Sequence, residues 1–161
     1  MISCKQKQDD GILLEIGGVK MANGKFVGSW ALKAWTAELS DGKIVYPFGE
    51  DVLGQITYDD NGNMAVQIMR KDRTPFSGVD PFQASPEEVV EAFHGFLSYC
   101  GKYDVDTDAG QVIHHLKISS IPNWTGQDQI RNFEFDGDQL TLSTDFIGAS
   151  RHRLVWGKVK G

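Results

Sequence analysis

The chain has 161 residues, of which 40% are hydrophobic and 24% are charged, and its formal net charge is −6. This length suits one domain with a sizeable core, and the acidic balance argues against nucleic-acid binding, which depends on cationic side chains facing phosphates. No apolar run approaches the roughly 20 residues that a membrane-spanning helix needs, so we expect no nucleic-acid and no membrane partner.

The chain begins with a segment unlike the remainder, and we expect residues 1–25 to form a tail before a single domain at 26–161. The opening MISCKQKQDD is polar, and the GILLEIGGVK that follows is too short and too acidic for the apolar part of a signal peptide. Gly17 to Lys20 can be encoded by a purine-rich ribosome-binding sequence, which makes Met21 a candidate start of translation. A native tail is the alternative.

The cysteines favour a reducing environment. There are two, Cys4 and Cys100, and an isolated pair does not form a disulfide framework. A cytoplasmic location is therefore the simplest expectation.

The first half of the domain predicts strands separated by turns. Residues 26–35 place Phe26, Trp30, Leu32 and Ala34 on one apolar face, and DDNGN at 59–63 is a hairpin signal. Further strands are predicted at 43–48, 55–58 and 64–70.

The strand at 64–70 has two candidate inner faces. We expect the face that carries Gln67 and Met69 to line an interior, with the alternate residues, starting from Met64, packed beneath a helix.

One helix is predicted in the middle of the chain. Ser85, Pro86 and Glu88 form a capping-box start, and Gly101 is the expected end. This helix would cover the wall or one end of the sheet structure, as a gate or as a fixed plug. Its apolar face comprises Val89, Phe93, Phe96, Leu97 and Cys100.

The second half again predicts only strands. Together with the first half they make nine short strands and one helix, a pattern typical of an antiparallel barrel or sandwich. The predicted strands are 102–106, 111–119, 129–135, 139–145 and 151–159.

The adjacent histidines of the strand at 111–119 must point to opposite faces. His114 alternates with Val112, Leu116 and Ile118 and is therefore the expected inward residue, whereas His115 is expected at the surface or under the helix. An inward histidine serves either as a proton-transfer or ligand-binding group or as a hydrogen-bonded core residue.

Arg131 shares the aromatic face of the strand at 129–135 and is expected inside or at a barrel end. A buried guanidinium needs a partner. It would either anchor a ligand carboxylate, enolate or phosphate or stack on a core tryptophan such as Trp30. Arg153 competes for the position at Trp30.

Other candidate ligand contacts are isolated residues. Asn123 and Trp124 lie in a loop that would shape a barrel mouth, and Tyr58 and Tyr103 are candidate cavity hydroxyls. No ligand spacing for a metal and no phosphate-binding or dinucleotide motif is present, so we expect no metal and no cofactor.

Several segments resemble the bacterial and fungal lipocalin-like domain family. Gly28-Ser29-Trp30 resembles the Gly-x-Trp signature of lipocalins, and the resemblance extends through YPFGED, GQITYDDNGNMAVQIMRKDR, VIHHLKISSIPNWTGQDQIRNFEFDGDQLTLST and RLVWGK, over about residues 26–158. The resemblance implies a small antiparallel barrel of about eight to nine strands with an internal cavity. Similar barrels bind apolar molecules or catalyse cyclisation and isomerisation in natural-product pathways.

The expected function is binding of a small apolar or aromatic molecule, with or without an acidic group, in the barrel. One alternative is a cofactor-independent cyclase, isomerase or hydrolase acting on a secondary metabolite, with His114 moving protons and Arg131 stabilising an oxyanion. A second alternative is a filled barrel with a structural or interaction role. Neither the ligand nor the oligomeric state follows from the sequence.

Overall fold

The computed structural model describes residues 23–160, and the expectations about the earlier tail, a start at Met21 and Cys4 lie outside these residues. Short 3-10 turns occur at Pro81–Gln83 and Pro122–Trp124. The helices and strands are α1 Asn23–Phe26, β1 Gly28–Leu39, β2 Ile44–Val45, β3 Leu53–Tyr58, β4 Asn63–Met69, α2 Pro86–His94, β5 Phe96–Asp106, β6 Gln111–Ser119, β7 Asp128–Asp136, β8 Gln139–Ser143 and β9 Ser150–Lys158.

The strands form a closed antiparallel barrel. They follow one another in the order β2-β1-β3-β4-β5-β6-β7-β8-β9. An additional pairing of β1 with β9 closes eight of these strands into a barrel. The short strand β2 pairs with the C-terminal part of β1. Closure leaves the eight barrel strands paired on both sides. The predicted fold class is confirmed. Within residues 23–160, no helix is long and apolar enough to span a membrane.

A bulge in β1 changes which residues face the interior. The register with β9 shifts between Leu32 and Ala34, so that Leu32 pairs with Trp156 and Trp35 pairs with Leu154. The extra residue, Lys33, reverses the alternation beyond it. Ala34, predicted on the inner face, therefore points outward, and Trp35 faces the interior instead.

The inner face of β4 is the opposite of the predicted one. Met64, Val66 and Ile68 are buried in the core, whereas Gln67 is exposed and Met69 shares its outward side. The prediction that Gln67 and Met69 line the interior is wrong, because the more continuous apolar set is buried by the barrel and not by the helix.

A second bulge interrupts the pairing of β5 with β6, and Ile118 points outward beyond it. The register shifts between Cys100 and Gly101, and Ile118 is 62% exposed although it was predicted to face inward with His114. At this point the two backbones are very close. A Cβ atom on Gly101 would lie 1.9 Å from the carbonyl oxygen of His115, so only glycine fits.

The helix α2 is shorter than predicted. It starts at the expected capping box, in which Ser85 and Glu88 hydrogen-bond each other's backbone N–H groups, but Gly95 ends it directly after His94. Residues 96–106 instead pair with β4 and β6 as a long strand. The apolar residues assigned to the end of the helix therefore belong to the barrel wall.

One end of the barrel is filled by aromatic side chains. Phe26, at the end of α1, packs edge-on against Tyr58, Phe133 and Phe135 at centroid distances of 5.0–5.2 Å, and its carbonyl oxygen accepts a hydrogen bond from the indole of Trp30. Among the described residues, no arginine stacks on Trp30, although Arg131 or Arg153 was expected there. Lys158 occupies that position, with Nζ 4.2 Å from the ring centroid.

Candidate ligand-binding cavity

The half of the barrel opposite Phe26 contains a cavity of about 540 Å³. This volume lies within the range of small-molecule sites. Its walls are mainly apolar and are formed by Trp35, Phe48, Ile56, Val66, Ile68, Phe96, Leu97, Ile121, Trp124, Leu142, Leu154 and Trp156.

The last turn of α2 borders this cavity. Phe93 and His94 are among the lining residues, although both side chains are exposed and no residue of α2 is buried. Hydrogen bonds from Thr74 to Glu91 and from the Ser77 backbone to Glu88 hold the helix to the preceding loop. The helix therefore lies at the rim and does not plug the barrel.

Arg131 is the cationic group of the cavity. It faces inward from β7, as predicted, and donates hydrogen bonds to the Ile130 carbonyl at 2.8 Å and to Oε1 of Gln129 at 3.2 Å. Among residues 23–160 it forms no ion pair, and no lining residue is acidic. The guanidinium thus lies beside an apolar space without an anionic partner.

His114 is completely buried beneath this cavity and does not line it. Its Nε2 lies 2.8 Å from the hydroxyl of Tyr58, and its Nδ1 lies 3.3 Å from the hydroxyl of Tyr99. Burial, together with the charge of Arg131, lowers the pKa of His114 well below its usual value, so the ring is neutral. Both ring nitrogens are engaged with tyrosines.

Tyr99 connects His114 to the cavity. Its ring lines the cavity and packs edge-on against Trp124, and burial raises the pKa of its hydroxyl, which stays protonated. Tyr99 is absent from the predicted ligand contacts because the predicted helix extends across residues 96–100. Alternation of Leu97, Tyr99, Tyr103 and Val105 after a helix-ending glycine is the signal that indicates a strand.

His152 is a second polar cavity residue that is absent from the predicted ligand contacts. It lines the cavity from β9, and its Nδ1 accepts a hydrogen bond of 3.1 Å from the indole of Trp35. Its Nε2 lies 3.4 Å from the hydroxyl of Ser150. Burial and the charge of Arg131 lower the pKa of His152. Its inward direction follows from the alternation of His152, Leu154 and Trp156 along β9, all of which line the cavity.

The remaining predicted ligand contacts lie in different parts of the barrel. Trp124 lines the cavity, but its neighbour Asn123 is exposed and does not. Tyr58 and Tyr103 are buried in the filled end, where the Tyr103 hydroxyl donates to the Asp59 carbonyl. Gln67 and Met69 lie on the outside of the barrel. Of the predicted set, Arg131 and Trp124 therefore meet at the cavity.

His115 lies on the outer surface, as one of its two predicted alternatives had it. It contacts Asp128 at 2.7 Å and Asp104 at 3.0 Å. Partial burial alone would lower the pKa of His115, but the hydrogen bonds with the two carboxylates outweigh it and raise that pKa. In the part of the chain described by the structure, no cluster of three His, Cys, Asp or Glu residues is arranged to hold a metal ion.

Known proteins and structures match this chain to different extents. A family model described as lipocalin-like domain matches residues 27–159. The 4'-hydroxy-3'-methoxypropiophenone carrier protein ppsC of Aspergillus oryzae is 33% identical over 87 residues, which are 50% of this chain and 78% of that protein. Among solved structures, a redesigned β-barrel aligns with a TM-score of 0.45 and 13% identity, over 87% of this chain and 96% of that chain.

Proposed function

This chain belongs to the lipocalin-like domain family, and from that premise we propose that it carries a small, mainly apolar molecule in the barrel cavity. Family membership and a relative named as a carrier protein support binding of a small molecule. The finer proposal, that the molecule occupies this cavity and contacts Arg131 and Trp124, rests on the geometry of the site.

The observation that carries the proposal is a preformed apolar cavity with one unpaired cation. The aromatic cluster around Phe26 fills one barrel end, and the space of about 540 Å³ lies in the opposite half, where the last turn of α2 borders it. Apolar walls supply affinity by removing ligand surface from water, and the few polar groups orient the ligand.

The shape of the walls favours an aromatic ligand. Trp35 and Phe48 pack edge-on at 4.8 Å on one side, and Trp124 packs against Tyr99 on another. Flat aromatic walls suit a flat ring. The relative's name refers to a hydroxylated aryl ketone, and we extend that class of ligand to this chain.

The two alternatives receive less support. An enzyme that moves protons through His114 would need a free ring nitrogen at the ligand, whereas both nitrogens are engaged by Tyr58 and Tyr99. A filled barrel is at odds with the cavity. Carriage of a ligand without chemical change is therefore the function that the site supports best.

Titration calorimetry with a panel of apolar acids, phenols and aryl ketones tests the proposal, and 4'-hydroxy-3'-methoxypropiophenone is included as a probe. We expect at least one member to bind the wild type. Leu142→Phe, which extends a wall residue into the cavity, should weaken binding at least tenfold. Gln67→Phe, on the outer face, is the matched control and should leave binding unchanged.

Two results would contradict the proposal. One is that no member of the panel binds the folded wild type. The other is that the ligand binds but is affected equally by Leu142→Phe and by Gln67→Phe. Far-ultraviolet circular dichroism of each variant verifies that the barrel is folded.

A further inference from the structure

We propose that the cavity selects an aromatic oxyanion, and specifically an acidic phenol bound as its phenolate, because the polar side chains around the cavity present hydrogen-bond donors and almost no free acceptors. This inference rests on the proposed function and specifies the chemistry of its ligand. It is carried by the hydrogen bonds of Tyr99, Arg131 and His152.

The first donor follows from counting protons around His114. A neutral imidazole has one N–H and one acceptor nitrogen, yet two tyrosine hydroxyls contact its nitrogens. One hydroxyl therefore donates to the ring, and the other accepts the ring N–H and keeps its own proton to donate elsewhere.

Burial decides which tyrosine keeps a free proton. Tyr58 lies in the filled end, and His114 is the hydrogen-bond partner of its hydroxyl, so failing to donate there would leave a buried O–H unsatisfied. Tyr99 borders the cavity. We therefore assign the Nδ1–H form to His114, with Tyr58 donating to Nε2 and Tyr99 directing its O–H toward the cavity.

Arg131 supplies the charge. Two hydrogen bonds and a further contact with the Tyr99 hydroxyl engage its five N–H groups, and none of these partners is a carboxylate. Arg131 also lies close to Tyr99. Its charge lowers the pKa of that hydroxyl and offsets part of the increase that burial causes. Arg131 and Tyr99 are thus neighbouring donors on adjoining walls of one cavity.

His152 is also a donor, because a neutral imidazole with one accepting nitrogen carries its proton on the other. Its Nδ1 accepts the indole N–H of Trp35, so in the neutral ring the proton is on Nε2. The contact of 3.4 Å to the Ser150 hydroxyl is long, which leaves this N–H available to a ligand.

Acceptors are scarce inside the cavity, and His94 lies outside this set, at the rim. Oε1 of Gln129 already accepts from Arg131, and Oγ1 of Thr144 already accepts from the backbone N–H of His152. Trp156, another wall residue, buries an indole N–H that has no acceptor among the described residues. An oxyanion accepts several such bonds at once, whereas a neutral ligand with its own donors would leave groups unsatisfied.

Two probes that differ in one proton and one methyl group test the inference. 4-Hydroxyacetophenone is an acidic phenol because the carbonyl delocalises the phenolate charge, and 4-methoxyacetophenone cannot ionise. At about pH 6, where the free phenol is protonated, we expect the phenol to bind at least tenfold more tightly than the ether. The bound phenol should show the longer-wavelength absorption band of the phenolate. 4-Ethylbenzoate is the third arm and reports whether a carboxylate binds equally well.

Variants separate the donors from the remainder of the protein. Arg131→Gln should abolish the phenolate band, and Tyr99→Phe should weaken phenol binding several-fold while affecting the ether less. Arg153→Gln, an exposed arginine on β9, is the matched control and should change neither readout.

The outcomes distinguish this inference from the proposed function. If phenol and ether bind alike without a phenolate band, or if 4-ethylbenzoate binds more tightly than the phenol, phenolate selection is overturned while carriage in the cavity stands. If no probe and no member of the wider panel binds, both proposals fail. The comparison of probes uses the wild-type chain, so it does not depend on the folding of any variant.

Discussion

The amino group of Lys158 stands over the ring of Trp30, with Nζ 4.2 Å from the ring centroid, and also donates to the carbonyl of Val27. This lysine closes the filled end of the barrel by binding both a wall tryptophan and the segment that follows α1. Lys158 takes the position over Trp30 that an arginine was expected to fill, and Arg131 instead faces the opposite half of the barrel, without a partner of opposite charge among the described residues.

Lys158→Met should destabilise the protein by about 1–2 kcal/mol, since it removes a cation–π contact and a hydrogen bond while keeping most of the apolar stem. Urea denaturation monitored by circular dichroism measures the change. Lys160→Met, which removes only an exposed pair with Asp138, is the control and should change stability much less than Lys158→Met does. Equal effects of the two substitutions would contradict this assignment.

His115 should stabilise the fold more at low pH than at high pH. The carboxylates of Asp128 and Asp104 raise its pKa in the folded state, so the contribution is fully present below the unfolded value of about 6.5 and is lost as pH rises through the folded value. The measurement is the difference in unfolding free energy between the wild type and His115→Gln from about pH 5 to 9. His114, whose lowered pKa acts in the opposite sense, is present in both proteins and cancels. A difference that grows with pH would refute the prediction.

His114 and Tyr58 should be energetically coupled. His114→Leu leaves two tyrosine hydroxyls without their partner and should cost about 2 kcal/mol or more. Tyr58→Phe should cost about 1–2 kcal/mol, and the double variant should be more stable than the sum of the single effects by about 1 kcal/mol. A double-mutant cycle from urea unfolding tests this, and strict additivity would show that the buried hydrogen bond does not couple them.

Gly101→Ala should be among the most destabilising single-methyl changes in the barrel. The added carbon would meet the His115 carbonyl at 1.9 Å, which forces β5 and β6 apart. We expect a loss at the upper end of the roughly 1–3 kcal/mol typical of overpacking, measured as a fall in melting temperature. Gly78→Ala, with nothing within 4 Å, is the matched control. A normal melting temperature for Gly101→Ala would show that the strands can separate at little cost.

Sequence patterns predicted those parts of the fold that depend on neighbouring residues. The capping box at Ser85, the direction of His114 and the inner face around Arg131 all follow from local spacing, and each is found in the structure. The resemblance to lipocalin-like domains added the closed barrel, which local patterns left open between barrel and sandwich.

The cavity was harder to predict because its polar residues depend on long-range pairing. The end of α2 at Gly95 determines whether Tyr99 belongs to a helix or a strand, and the bulge after Leu32 determines whether Trp35 can bind His152. Two short apolar faces compete on β4, and only closure of the barrel decides between them. Register between strands distant in sequence is not encoded in the spacing of either strand alone.

Lys33 is the one extra residue of β1, and its place in the bulge separates changes at this position from the cavity wall. The side chain of Lys33 lies outside, next to Gly157, so many substitutions there would be accommodated. Deleting the residue would remove the bulge and leave Leu32, Ala34 and Trp35 in simple alternation, so that Trp35 and Ala37 would still face inward. In a lineage of such barrels, loss of one residue at this position would therefore leave the cavity wall unchanged, whereas point mutations of the inward residues would alter it one side chain at a time.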